Sequence, residues 1–290
     1  MAHDHDHRHG SRRLLFALTL TGGFMVAEVV GGLLSGSLAL LADAGHMLTD
    51  TVSLALAWLA TRISRRPADR LRSYGYHRMQ ILAAFANGVF FIFLVGWIGV
   101  EAVQRLLEPR PILGGLMMWV AVLGLLVNVV AFALLHTGDH GNLNIRAAAL
   151  HVLGDLLGSV AAIVAAVVIL FTGWTPIDPL LSILVALLIL NSAWRIVRES
   201  GHILLEGTPP QVDVEAVTGT LHREIPELLD VHHLHIWSLT PDRTLLTMHV
   251  KVPPEADIAH LLVRIKALLA ERFAIRHSTV QIEPGDCVDD

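Results

Sequence analysis

Residues 38–61 read LALLADAGHMLTDTVSLALAWLAT. The run is longer than the ~20 mostly apolar residues with which a helix crosses a bilayer, yet it carries His46 and Asp50 inside it. On a helix, residues four apart lie on one face about one turn from each other. An ionised carboxylate in hydrocarbon costs at least ~2.5–3.5 kcal/mol on insertion scales. The stretch therefore predicts a membrane helix whose polar stripe meets a partner or a ligand. Residues 145–172 repeat the device with His151 and Asp155.

Working outward, apolar segments recur at about 14–34, 38–61, 79–107, 113–136, 145–172 and 177–197, six spans by hydropathy. The breaks carry turn chemistry: Ser35-Gly36-Ser37, the Arg-rich stretch from Thr61 to Arg78, Glu108-Pro109-Arg110-Pro111, Thr137 to Asn144, and Thr172 to Pro176. Composition agrees, with 53% of the 290 residues hydrophobic and 16% charged and a mean hydropathy of +0.58. That balance excludes a single soluble domain. A formal charge of -5 argues against a nucleic-acid partner, which would select a concentrated basic face.

The single cysteine, Cys287, leaves no internal disulfide and no paired-cysteine zinc framework. Seventeen histidines are the oddity of so apolar a chain. The first ten residues alternate His with Asp or Arg and contain no apolar run, which reads as a tail rather than a cleavable signal. Basic flanks stay cytosolic. Arg8, Arg12, Arg13, Arg62, Arg65, Arg66, Arg70, Arg72, Arg78, Arg146, Arg195 and Arg198 fall on one side, against Arg105 and Arg110 on the other. Six spans and this bias predict both termini in the cytosol, with the chain in the inner (plasma) membrane.

Past Glu206 the hydropathy drops, and Gly207-Thr208-Pro209-Pro210 reads as a linker. The expected organisation is a His-rich cytosolic tail (1–13), a six-helix transmembrane domain (14–207) and a cytosolic domain (208–290). In the last, Gln211 to Ile225 has helical character, Val231 to Leu239 and Thr244 to Val252 read as strands, Ile258 to Phe273 as a helix, and Ser278 to Glu283 as a short strand. The order α-β-β-α-β predicts a small ferredoxin-like α+β sandwich. The fold class is thus a membrane α-helical bundle carrying a small cytosolic α+β domain.

Two intramembrane helices, each giving one imidazole and one carboxylate, supply His46, Asp50, His151 and Asp155. Two nitrogens and two oxygens are donors of the kind and number that Zn2+ takes in a tetrahedral site. The bland alternative is helix packing through hydrogen bonds with the acids held protonated. Packing alone does not call for the same His/Asp spacing on two separate spans.

The chain resembles the cation diffusion facilitator family of proton-coupled divalent metal exporters. The matching stretches are GSLALLADAGHMLTD (Gly36 to Asp50), YGYHRMQILAAFANG (Tyr74 to Gly88), NIRAAALHVLGDLLGS (Asn144 to Ser159) and VHHLHIWSL (Val231 to Leu239). The resemblance spans all but the N-terminal tail. It implies a homodimer in the lipid bilayer, each protomer with its own transport site and a metallochaperone-like C-terminal domain, and an antiporter rather than an enzyme. With histidine at position 46 the site resembles that of the zinc-preferring bacterial branch, with Cd2+ or Co2+ as secondary cargo. Imidazole suits Zn2+ where all-oxygen sites suit Mn2+. Because the ligands bind metal only when deprotonated, Zn2+ and H+ compete for them, and that competition is expected to couple the two fluxes.

The resemblance further implies a cytosolic zinc site of structural or regulatory role from His232, His249, His260 and Glu283, although Gln281 stands where relatives have another ligand, which a carbonyl or water would replace. Cys287 is read either as a further ligand there or as a tail thiol. In the loop after the second span Asp69 is kept, but Arg72 and Tyr76 occupy positions where some relatives have zinc-binding histidines, so that loop site is expected to be absent. By the same resemblance Arg78 and Glu206 look placed to form a charged link between the third span and the start of the soluble domain, the alternative being an ordinary surface ion pair worth little. Asp43, Glu28, Glu101, Asn87 and Asn128 fall within spans, as vestibule residues or as helix-packing hydrogen bonds. His3, His5, His7 and His9 are read as a weak zinc-capturing tail or a dispensable one.

Two rival classes fare worse. A membrane metallohydrolase needs three protein ligands and an open water position, and the HExxH pattern is missing. A sensor with a membrane anchor has no need of paired acids at membrane depth.

Overall fold

The computed structural model describes Leu20, residues 22–136 and 143–285, and Cys287. The tail histidines fall outside the described residues, as do the side chains of Asp50 and His151. The helices are α1 (Gly22–Ser35), α2 (Leu38–Ser64), α3 (Met79–Leu107), α4 (Gly114–His136), α5 (Leu143–Thr172), α6 (Ile177–Leu204), α7 (Val214–Glu224) and α8 (Ile258–Phe273), with strands β1 (Asp230–Thr240), β2 (Arg243–Lys251) and β3 (His277–Glu283). Three described helices, Met79–Leu107, Gly114–Ala133 and Ile177–Leu204, are long and apolar enough to cross a membrane, while Gly22–Ser35 and Gly158–Thr172 are shorter apolar helices. The chain divides into two compact units, residues 1–56 with 87–195, and residues 57–86 with 196–290.

In the first unit α2 is buried on two sides. Ala39 and Leu40 pack with Met117 and Ala121 of α4 and with Ala162, Ala165, Ala166 and Ile169 of α5. Leu38 and Ala42 pack with Val95, Ile98 and Ala102 of α3 and with Ala186 and Ile189 of α6. Alanine dominates these contacts because small side chains let helices approach closely where lipid offers no hydrophobic drive to associate. Large apolar side chains point outward instead, Phe93, Trp119 and Phe171 being 73%, 76% and 86% exposed, the inverse of a water-soluble surface.

The start of α2 is fixed by the turn at Ser35-Gly36-Ser37. Gly36 has φ +73°, a left-handed conformation that glycine adopts without penalty. Helix N-termini leave backbone N–H groups unpaired. Here the Asp178 carboxylate of α6 accepts from Leu38 N–H (2.7 Å), Ala39 N–H (3.1 Å) and the Ser37 hydroxyl. Arg105 of α3 donates to the Gly36 carbonyl and ion-pairs with Glu101 at 2.9 Å.

In the second unit α6 continues to Leu204, beyond Val197 where the hydropathy falls. Arg195, Arg198, Glu199 and His202 end the apolar stretch but break no helix. The helix stops before Glu206, which takes a positive φ of 60°, and Pro209-Pro210. Asp213 caps α7, accepting from Glu215 and Ala216, and Asp257 caps α8 through His260 N–H. The sheet order is β1-β2-β3, with β1 antiparallel and β3 parallel to β2. Alternation along β2 sends Leu246, Met248 and Val250 into a core with Val217 and Leu221 of α7 and Leu261, Ile265 and Leu269 of α8. The same alternation leaves Thr247, His249 and Lys251 on the opposite face.

Candidate functional site

Two sets of ligand-type side chains stand out, one in each unit. In the membrane unit His46 of α2 and Asp155 of α5 face each other, with Nε2 3.9 Å from Oδ1. Asp155 is 2% exposed, whereas the His46 side chain keeps 32% of its surface open. Asp50 falls one turn after His46 on α2, and His151 one turn before Asp155 on α5.

A Cβ placed on Gly158, one turn past Asp155, would sit 2.9 Å from Oδ1 of Asp43. Asp43 lies near Glu28 of α1, and both carboxylates are within electrostatic reach of Asp155. Glu28 and Asp43 are almost fully buried, at 1% and 5% exposure. Three acids on three helices thus converge beside His46, a cluster that hydrocarbon tolerates only with protons or cations to share. The asparagines take the packing role: Asn87 donates to Ser53, and Asn128 to Ser159 at 3.2 Å.

The second set lies on the open face of the sheet. Register places His232 opposite His249, and His249 opposite Gln281, with Glu283 two residues along β3. His249 Nδ1 is 3.0 Å from Oε1 of Glu283, and His232 Nε2 is 3.2 Å from Oε2. Behind His232, its Nδ1 lies 3.0 Å from an Asp230 oxygen. Burial alone would raise the Glu283 carboxyl. Hydrogen bonds from Gln281 and Cys287 and the nearby His249 and His232 outweigh it and bring the carboxyl below its ordinary range.

Strand alternation would send His233 to the core face, but a register shift follows His232 and His233 takes φ 48°. This bulge turns the His233 ring onto His249, with centroids 5.0 Å apart. Among the described residues, the group whose ligand atoms all lie within 4.8 Å of one another is His232, His249, Glu283 and Cys287. His260, the remaining expected ligand, lies in the first turn of α8 and stands outside that group.

The loop after α2 is held by its own side chains. Asp69 accepts from the Tyr76 hydroxyl (2.8 Å) and from the N–H groups of Leu71 and Arg72 (2.8 Å each), which together with the Arg72 charge hold its carboxyl below the usual range. Arg78 Nη2 lies 3.1 Å from Oε1 of Glu206, the link expected between those two residues.

Sequence reasoning missed three features. Asp178 as a cap for α2 was detectable as an acid at a span edge. The His233 bulge has no signal in a period-two pattern. Asp230 behind His232 emerges only once the strand is built.

Comparison with known proteins identifies two family domains. Residues 14–205 match the family model of the cation efflux transmembrane domain, and residues 209–285 that of the cation efflux protein cytoplasmic domain. The chain is 52% identical to the zinc transporter ZitB of Pectobacterium atrosepticum over 293 residues, covering 100% of this chain and 91% of the relative. It is 50% identical to the zinc transporter ZitB of Escherichia coli over 295 residues, covering 99% and 94%. A protein of Bacillus velezensis named cadmium, cobalt and zinc/H(+)-K(+) antiporter is 40% identical over 290 residues, covering 98% and 92%.

Proposed function

The chain belongs to the cation efflux family of integral membrane metal transporters, and we propose that it exports Zn2+ from the cytosol in exchange for protons through His46, Asp50, His151 and Asp155. The observation that carries this reading is the approach of His46 to Asp155 at 3.9 Å, with the acid buried among helices. Tetrahedral zinc with N and O bonds of about 2.0–2.2 Å holds its donors roughly 3.3–3.6 Å apart, so a small contraction about one ion brings the pair into range.

Ion exchange follows from ligand chemistry. Metal binding requires a neutral imidazole and an ionised carboxylate, so protons and zinc exclude each other from the same atoms. When the emptied ligands face the outside they take up protons, and when they face the cytosol they give them up to zinc. The names of the relatives support both halves, zinc transport and antiport with protons. Zinc is the preferred cargo, with Cd2+ or Co2+ accepted, because imidazole at position 46 favours them over harder ions.

The same reading has six spans in the inner membrane, both termini in the cytosol and two copies in a homodimer through the ferredoxin-like domain, whose open face holds the second, structural or regulatory zinc. In sealed vesicles, zinc-driven proton movement is expected in the wild type and not in Asp50→Ala. Proton movement of wild-type size in that variant would remove the coupling.

A further inference from the structure

We propose that Cys287 is a zinc ligand, completing with His232, His249 and Glu283 a two-nitrogen, one-oxygen, one-sulfur site within a single protomer. This rests on the reading of the open sheet face as a metal centre and changes its donor set. That reading, taken from resemblance alone, has His260 as a ligand and a gap at Gln281. His260 lies outside the cluster, and Gln281 serves instead as a hydrogen-bond donor to Oε1 of Glu283 at 2.9 Å. Beyond β3, Sγ of Cys287 lies 3.6 Å from Nδ1 of His249.

The geometry fits one ion. Donors bonded to tetrahedral zinc at about 2.0–2.3 Å sit roughly 3.3–3.8 Å apart. The observed neighbours are 3.0 Å (His249 to Glu283), 3.2 Å (His232 to Glu283) and 3.6 Å (Cys287 to His249), and no pair of donor atoms exceeds 4.8 Å. The two imidazoles approach different oxygens of one carboxylate, and each of the four residues offers a ligand atom within 4.8 Å of the other three.

The chemistry fits as well. A coordinating metal deprotonates a thiol, and the carboxylate and thiolate together neutralise a divalent ion. Thiolate and imidazole select zinc or cadmium and discriminate against magnesium and manganese. The ligands come from β1, β2, β3 and Cys287 beyond it, so the ion ties that residue to all three strands.

Cys287 is the chain's one cysteine, which makes the test clean. The full-length protein in detergent, carrying Asp155→Ala to weaken the membrane site, is titrated with Co2+. A sulfur-to-cobalt charge-transfer band in the near ultraviolet is expected, and its loss when Cys287→Ser is added. Cobalt binding without that band, a band that survives Cys287→Ser, or no bound cobalt would overturn the proposal. In the otherwise wild-type chain, Zn2+ is expected to slow maleimide labelling by about tenfold or more, since the thiolate is the nucleophile and a bound one is occupied, and His249→Ala should abolish that protection. Equal labelling rates with and without zinc in the wild type would also overturn it. Neither readout involves transport, so failure here leaves the membrane site standing, and failure of transport leaves this ligand standing.

Discussion

Nε2 of His46 lies 3.9 Å from Oδ1 of Asp155, and the Asp43 carboxylate of α2 sits where a Cβ on Gly158 of α5 would be only 2.9 Å away. On the proposed reading, the meeting of a histidine and a buried acid between α2 and α5 accounts for the same four-residue spacing on two spans, each helix contributing half of one donor set. The spacing fixes the face within each helix, and the alanines of the α2–α5 contact allow the faces to meet.

If His46 sets the ion preference, replacing it with a carboxylate should move the site toward oxygen-seeking ions. Uptake into inside-out vesicles is expected to show His46→Asp losing zinc selectivity while gaining Cd2+ or Mn2+ transport relative to the wild type. An unchanged ranking of the three ions would remove the case for histidine as the selector.

Gly158 has no room for a methyl group, since its Cβ would meet the carboxylate of Asp43 at 2.9 Å. Overpacking of this kind costs typically ~1–3 kcal/mol. Gly158→Ala should lower the melting temperature of the full chain and slow zinc transport, while a glycine with nothing near it, Gly99, should accept alanine without either effect.

Asp69 organises the loop after α2 as a carboxylate acceptor, and its hydrogen bonds from Tyr76 and Leu71 hold the folded carboxyl below the ordinary aspartate range. A depressed acid contributes order that is fully present above its unfolded pKa and is lost as pH falls through the folded one. Hydrogen exchange of Leu71 and Arg72 N–H should therefore stay flat from neutral pH down to about 4, once the intrinsic rate is allowed for, and lose protection below that. Asp69→Asn should abolish this acid transition. Persistence of the transition in the variant would assign it to another group.

Much of this molecule is written in local pattern. Leu246, Met248 and Val250 alternate with Thr247, His249 and Lys251, so the period-two pattern alone distinguishes the core face of β2 from its ligand-bearing face. The helix from Ile258 to Phe273 and the span from Met79 to Leu107 carry clear periodic or hydropathic signals and keep those bounds. The far end of α6 was not legible, because hydropathy reports the solvent and not the helix, and α6 outlasts the apolar stretch. His233 was not legible either, since a bulge depends on a partner strand. For Cys287 the sequence left two roles open, because only the folded chain brings position 287 back beside His249.

The most direct test of the account is zinc accumulation in inside-out vesicles with an acidic lumen, comparing wild type with Asp155→Ala in chains whose cytosolic residues are untouched. The wild type is predicted to accumulate zinc and to stop when the pH gradient is collapsed, whereas Asp155→Ala is predicted to accumulate essentially none, since loss of a direct ligand should cost at least the ~10–100-fold that outer-shell changes do. Zinc uptake by Asp155→Ala at the wild-type rate would contradict the account.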